Sequence, residues 1–141
     1  MKTRYAVALA AAFWVGIGSV TYAADMTGAE IKAFLSGKTS YLETTAASVA
    51  GQVGQAKMFL AEDGTVLYKK PDGGMLHGKW EIRGNTLCID WKDTPDKNAC
   101  ARYDKTGDTV TILDGATGQV RAKIVKTAPG DRKSTRLNSS H

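Results

Sequence analysis

Apolar and polar positions alternate through Leu76 to Tyr103, LHGKWEIRGNTLCIDWKDTPDKNACARY, the stretch around which the rest of the chain is organised. Two alternating runs meet at Gly84-Asn85 and a third follows a polar loop, which is the pattern of half-buried antiparallel strands joined by turns. Strand side chains repeat with period two, so Leu76, Gly78, Trp80 and Ile82 share one face, and Leu87, Ile89 and Trp91 share the matching face of the next strand. Cys88, Asp90 and Lys92 then point the other way. Setting Cys88 opposite Cys100 on the third run brings Ile89 against Ala99 and Leu87 against Ala101, apolar against apolar. The two cysteines are expected to form a disulfide that closes a loop of about thirteen residues and contributes about 3 kcal/mol in the chain-entropy account. The competing reading is two separate buried thiols.

The pattern on either side extends this sheet. Met26 to Gly37, MTGAEIKAFLSG, reads as a short helix with Thr27 as N-cap, Glu30 completing a capping box and Gly37 just past the end. Ile31, Phe34 and Leu35 form one apolar stripe, so the helix is expected to lie on the sheet. Lys38 to Thr44 reads as a first strand, and Thr45 to Gln55, rich in Ala, Ser and Gly, as a loop. Lys57 to Ala61 and Thr65 to Lys70 flank the hairpin turn Glu62-Asp63-Gly64, and Pro71-Asp72-Gly73-Gly74 turns the chain into the central stretch. Thr109 to Leu113 and Gln119 to Val125 follow Tyr103. About eight short strands at this spacing predict a mainly β fold, an antiparallel up-and-down, lipocalin-like barrel with one short N-terminal helix.

The two ends change the electrostatic picture. Met1 to Ala23 has Lys2 and Arg4, then an apolar stretch from Ala6 to Ile17, then Thr21-Tyr22-Ala23, the three parts of a secretory signal cleaved before Ala24. The alternative is a membrane anchor, but the stretch is shorter than the ~20 residues of a spanning helix. Asp131 to His141, DRKSTRLNSSH, back-translates into a common sequencing-library adapter and is expected to be read-through; the alternative is a disordered basic tail. The whole chain carries a formal +5. Lys2 and Arg4 account for two of these charges, and Arg132, Lys133 and Arg136 against Asp131 for two more, so 24–130 carries about +1. The excess that would point to nucleic acid therefore lies in the terminal segments, and no nucleic-acid partner is expected. Residues 24–130 are expected to form a single domain, periplasmic or secreted, monomeric, and without a stable membrane anchor.

The segments TGAEIKAFLSGKT, FLAEDGTV, HGKWEI with LCIDW, and CARYDKTGD resemble an uncharacterised family of small secreted bacterial proteins. The resemblance implies an exported, β-rich, lipocalin-like domain. Its motifs are mainly turn and core residues, and it carries no catalytic residues over to this chain.

Candidate chemistry is sparse. His77 falls on the face opposite Trp80, which predicts an exposed or edge histidine and not a catalytic one. The serines lack a nucleophile elbow. One histidine and two pairing cysteines leave no zinc set, and Asp90, Asp93 and Asp96, without the EF-hand spacing, read as a solvated loop before they read as a calcium site. The glycines sit at turns, with neither a Walker nor a Rossmann pattern. No cofactor, metal or catalytic activity is expected. A barrel of this size is either filled by its side chains or holds one small ligand. Trp80, Trp91 and Tyr103 are the candidate ligand-binding residues, although in a domain this small plain core packing is the favoured reading of them, since a hollow interior removes stabilising contacts. The expected role is non-catalytic binding of a small apolar ligand, or a structural one in the envelope; the runner-up is a protein-interaction or inhibitor module that binds an envelope protein.

Overall fold

In the computed structural model, which describes residues 24–94 and 99–130, the alternating runs become strands. The expected signal 1–23, the tail 131–141 and Asp96 lie outside the described residues. The elements are β1 (Ala24–Asp25), α1 (Gly28–Leu35), β2 (Lys38–Thr44), β3 (Gly54–Leu60), β4 (Thr65–Lys69), β5 (Met75–Arg83), β6 (Thr86–Trp91), β7 (Ala99–Thr106), β8 (Thr109–Asp114) and β9 (Val120–Pro129). From β2 to β9 each strand pairs antiparallel with the next, and β2 pairs with β9. The result is a closed eight-stranded up-and-down barrel with β1 as an additional strand on β7.

The expected register holds around the cysteines: Leu87 faces Ala101, Cys88 faces Cys100 and Ile89 faces Ala99. Those three pairs are the β6–β7 ladder among the described residues. Beyond them β7 leaves β6, and its later residues Asp104 and Lys105 pair with Asp25 and Ala24. The Cys88–Cys100 disulfide, with its Cα atoms 3.9 Å apart, clamps the β6–β7 seam. Cys88 points outward as expected, yet it is 2% exposed. It faces Glu81 across the ladder and lies 3.6 Å from the Thr86 hydroxyl, in a hollow walled by Lys79, Glu81, Arg83 and Asp90.

Two strands run longer than their apolar pattern. β7 extends to Thr106 and β9 to Pro129, where Lys38 of β2 faces it. Closure supplies backbone partners along the full length of β2, so pairing continues through residues that do not alternate. β9 fits two neighbours only by carrying an extra residue at two places: Val125 between the pairs with Tyr41 and Leu42, and Arg121 between the pairs with Ile112 and Leu113. Such bulges bend a strand and re-aim its side chains.

The turns divide the barrel into two ends. At the helix end α1 has both halves of its capping box, with Glu30 N–H donating to Thr27 Oγ1 and Thr27 N–H to Glu30 Oε1. Ile31 and Leu35 are fully buried in the main core. Gly28 N–H donates to Asn85 Oδ1 in the β5–β6 turn. A Cβ on Gly28 would lie 2.2 Å from the Gly84 carbonyl oxygen, so only glycine lets the helix sit this close. The other end is covered by the loop of residues 45–53, whose Val49 and Ala50 pack on the same core.

Candidate functional site

A cavity of about 50 Å³ remains inside the loop end. Trp91 and Tyr103 line it, as the alternation predicts, together with Tyr68, Met58 and Ile112 from neighbouring strands and Ser48 and Val49 from the loop above. Trp91 meets Tyr68 edge to face, with centroids 5.7 Å apart and planes at 79°. Trp80 does not belong to this site. It has the inner phase expected of it, but it packs toward the helix end, where its indole N–H donates to the Ala61 carbonyl at 2.8 Å. Alternation assigns a residue to a face and leaves its height in the barrel open; β5 is long enough to put Trp80 and the cavity at different levels.

The polar part of the cavity wall is absent from the sequence reading. Arg121 lines it because the β9 bulge takes that residue out of the strict in–out alternation. One guanidinium nitrogen donates to Asp114 Oδ2, while Nε is buried without a hydrogen-bond partner among the described residues. The loop is tied to the same bulge: Thr45 N–H and its hydroxyl donate to the Arg121 carbonyl, and the hydroxyl also donates to that of Val120. Gln52 reaches across to Asp72 in the β4–β5 turn, accepting from its N–H and donating to its carboxylate. In the sequence, Arg121 sits in a run, VRAKIV, whose simple alternation places it outside with Lys123; no local signal marks the bulge.

Ionisation states follow from these contacts. Burial raises the pKa of Tyr103 well above the ordinary phenol value, and Arg121 only partly opposes that. Tyr68 is pushed up to about 12, again by burial, with the Ser48 hydroxyl opposing. Both phenols therefore stay protonated and remain hydrogen-bond donors. The Arg121 guanidinium, then the N–H groups of Thr117 and Ala116, hold the Asp114 carboxyl well below the usual carboxylate range. The wall is apolar with a few donors at one side, an arrangement suited to holding an apolar guest with an acceptor group.

The remaining candidates lie apart from the cavity. His77 is exposed, as expected, and both its backbone N–H and its ring engage the Asp93 carboxylate, which they hold below its usual pKa. Among the described residues no group of three or more His, Cys, Asp and Glu could hold a metal ion. At the helix end Asp25 faces Asp104 across the β1–β7 ladder. Their shared hydrogen bond, then burial and mutual repulsion, raise the pKa of Asp104. Asp25 is open to solvent and Arg102 approaches it at 3.8 Å. This carboxylate pair lies on the outside of the barrel, at the opposite end from the aromatic cavity.

No family model, curated protein or solved structure matches the chain. Among the described residues no helix is long and apolar enough to cross a membrane.

Proposed function

We propose that the protein is an exported, non-catalytic binding barrel that takes a small apolar guest at its loop end. The observation that carries this reading is the aromatic-lined cavity beneath the 45–53 loop. At about 50 Å³ it has room for one or two water molecules, so a larger guest enters by displacing Ser48 and Val49. That part of the cover is a loop, held mainly by polar bonds at its two ends, and it is the section of the wall that can move without breaking a ladder. The guest's apolar body would lie against Trp91 and Tyr68, and its acceptor against Arg121 and Tyr103. The disulfide and the resemblance to small secreted proteins agree with a location outside the cytoplasm.

Titration with an apolar naphthalene dye, followed by dye emission and by Trp91 quenching, tests the reading. Saturable binding is expected, and Val49→Trp, which fills the cavity from the loop side, should weaken it at least tenfold while the thermal midpoint holds. Dye binding that is absent, or indifferent to Val49→Trp, defeats the proposal.

A further inference from the structure

The outer surface carries a feature independent of the interior. Lys126 of β9 faces Tyr41 of β2, Tyr41 faces Lys57 of β3, and Lys57 faces Lys69 of β4. Four adjacent strands therefore place three lysines and a tyrosine in one cross-strand row, with no carboxylate in it. The Tyr41 ring holds two of the ammonium groups, with Lys126 Nζ 4.8 Å and Lys57 Nζ 5.4 Å from its centroid. Lys57 directly opposite Lys69 is a like-charge pair, which a sheet normally avoids because it destabilises the ladder. The residues 24–130 are close to neutral as a whole, so this is a local concentration of charge.

The row lies along a surface hollow of about 360 Å³, bounded by Pro71 and Gly73 in the β4–β5 turn and by the bulged Val125 on β9; Glu43, next on the outer face of β2, also lines it and faces Lys123 across the β2–β9 ladder, so the lysines outnumber the carboxylate on its wall. Lys70 is at the rim, 3.7 Å from Asp72. Strands lie about 5 Å apart, so the lysines succeed one another at about 10 Å and then about 5 Å in a single row around the barrel wall. A recessed line of point charges matches a chain of anions better than a flat sheet of them.

We propose that this groove binds a linear, phosphate-bearing polyanion laid across strands β9, β2, β3 and β4. The ammonium groups of Lys126, Lys57 and Lys69 contact successive phosphates, and Tyr41 is a positioning residue that fixes two of them. Displacement of the counterions condensed on the polymer is the driving term.

Isothermal titration with long-chain inorganic polyphosphate tests this. Three phosphate contacts give a salt slope of about −2 for a single-stranded polyanion, so affinity should fall roughly 20-fold between 50 and 200 mM salt. The double variant Lys57→Gln/Lys126→Gln should bind at least tenfold more weakly and with a shallower slope, whereas Lys32→Gln on the helix should behave as the parent. Tyr41→Phe should retain binding and Tyr41→Ala should lose much of it, with thermal midpoints confirming that each variant is folded. The proposal is overturned by no binding at 50 mM salt, or by binding that ignores the two lysines. It is equally overturned if duplex DNA or anionic phospholipid vesicles bind more tightly than polyphosphate through the same residues, since the partner chemistry would then be different.

Discussion

The two ends of the barrel are closed by different means. At the helix end an amphipathic helix with a complete capping box puts Ile31 and Leu35 into the interior at zero exposure, and its Gly28 touches the β5–β6 turn directly. At the loop end a segment of Ala, Ser and Gly offers only Val49 and Ala50 to the core and is fixed mainly through hydroxyl and amide bonds at its ends. The helix fills volume because its side chains are large and its backbone bonds are satisfied internally. The loop must use its polar groups to satisfy its own backbone, and a cavity is left beneath it.

Truncation at the two ends should therefore differ most. Leu35→Ala removes a fully buried side chain from the main core, and the expected loss is about 2–5 kcal/mol. Val49→Ala, at a partly buried loop position beside an existing cavity, should lose less than about 1 kcal/mol. Urea unfolding of both variants measures the contrast directly. Equal losses would mean that the loop closes its end as firmly as the helix.

The Cys88–Cys100 clamp sits in the seam that joins the two ends, and its removal is the next largest effect. Closing about thirteen residues is worth about 3 kcal/mol in the chain-entropy account. Cys88→Ala and Cys100→Ala should destabilise by similar amounts, and the double variant no more than either, because all three remove one bond. Reduction of the parent should reproduce the loss. Additive effects in the double variant would show that the cysteines act separately.

What could be read from the sequence follows the same division. The helix end was legible because its signals are local: Thr27 and Glu30 three residues apart, Gly37 adopting a positive φ of 74°, and a 3.6-residue stripe. The β6–β7 register was legible because only one phase pairs Leu87 with Ala101 and Cys88 with Cys100. The cavity wall was legible for Trp91 and Tyr103, whose faces alternation assigns. It was not legible for Arg121, whose direction depends on a bulge created when β9 has to match β8, nor for Trp80, which lies just beyond the point where β4 begins, with Thr65 opposite Lys79. Closure of a barrel is a non-local constraint, and the residues it redirects carry no mark in their own neighbourhood. The row of lysines on the outer wall has the same origin, because Lys57, Lys69 and Lys126 come together only once β2 pairs with both β3 and β9 and β3 with β4.

The smallest expected effect is also the one that separates the ends most cleanly, because their carboxylates are shifted in opposite directions. At the helix end the Asp104 pKa is raised, so the folded chain favours the protonated form. The stability it contributes is fully present below the ordinary Asp value of about 3.9 and is lost as pH rises through the folded value. At the loop end Asp114, bonded to Arg121 and to two turn N–H groups, and Asp93, bonded to His77, are depressed. Their contributions are present above about 3.9 and are lost as pH falls through the folded values. Asp104→Asn keeps a hydrogen-bonding partner for Asp25 and removes the repulsion, so it should stabilise the protein at neutral pH and make little difference near pH 3. Asp114→Asn should destabilise at neutral pH, with the difference from the parent shrinking on acidification. Thermal midpoints of both variants and the parent, measured from pH 3 to pH 8, should give two difference curves of opposite sign: that of Asp104→Asn closes by pH 3, whereas that of Asp114→Asn only begins to shrink there, because its folded pKa lies well below the usual carboxylate range. If Asp104→Asn lowers the midpoint at pH 7, the Asp25–Asp104 seam is held by an ionised arrangement, and the opposite electrostatics of the two ends disappears.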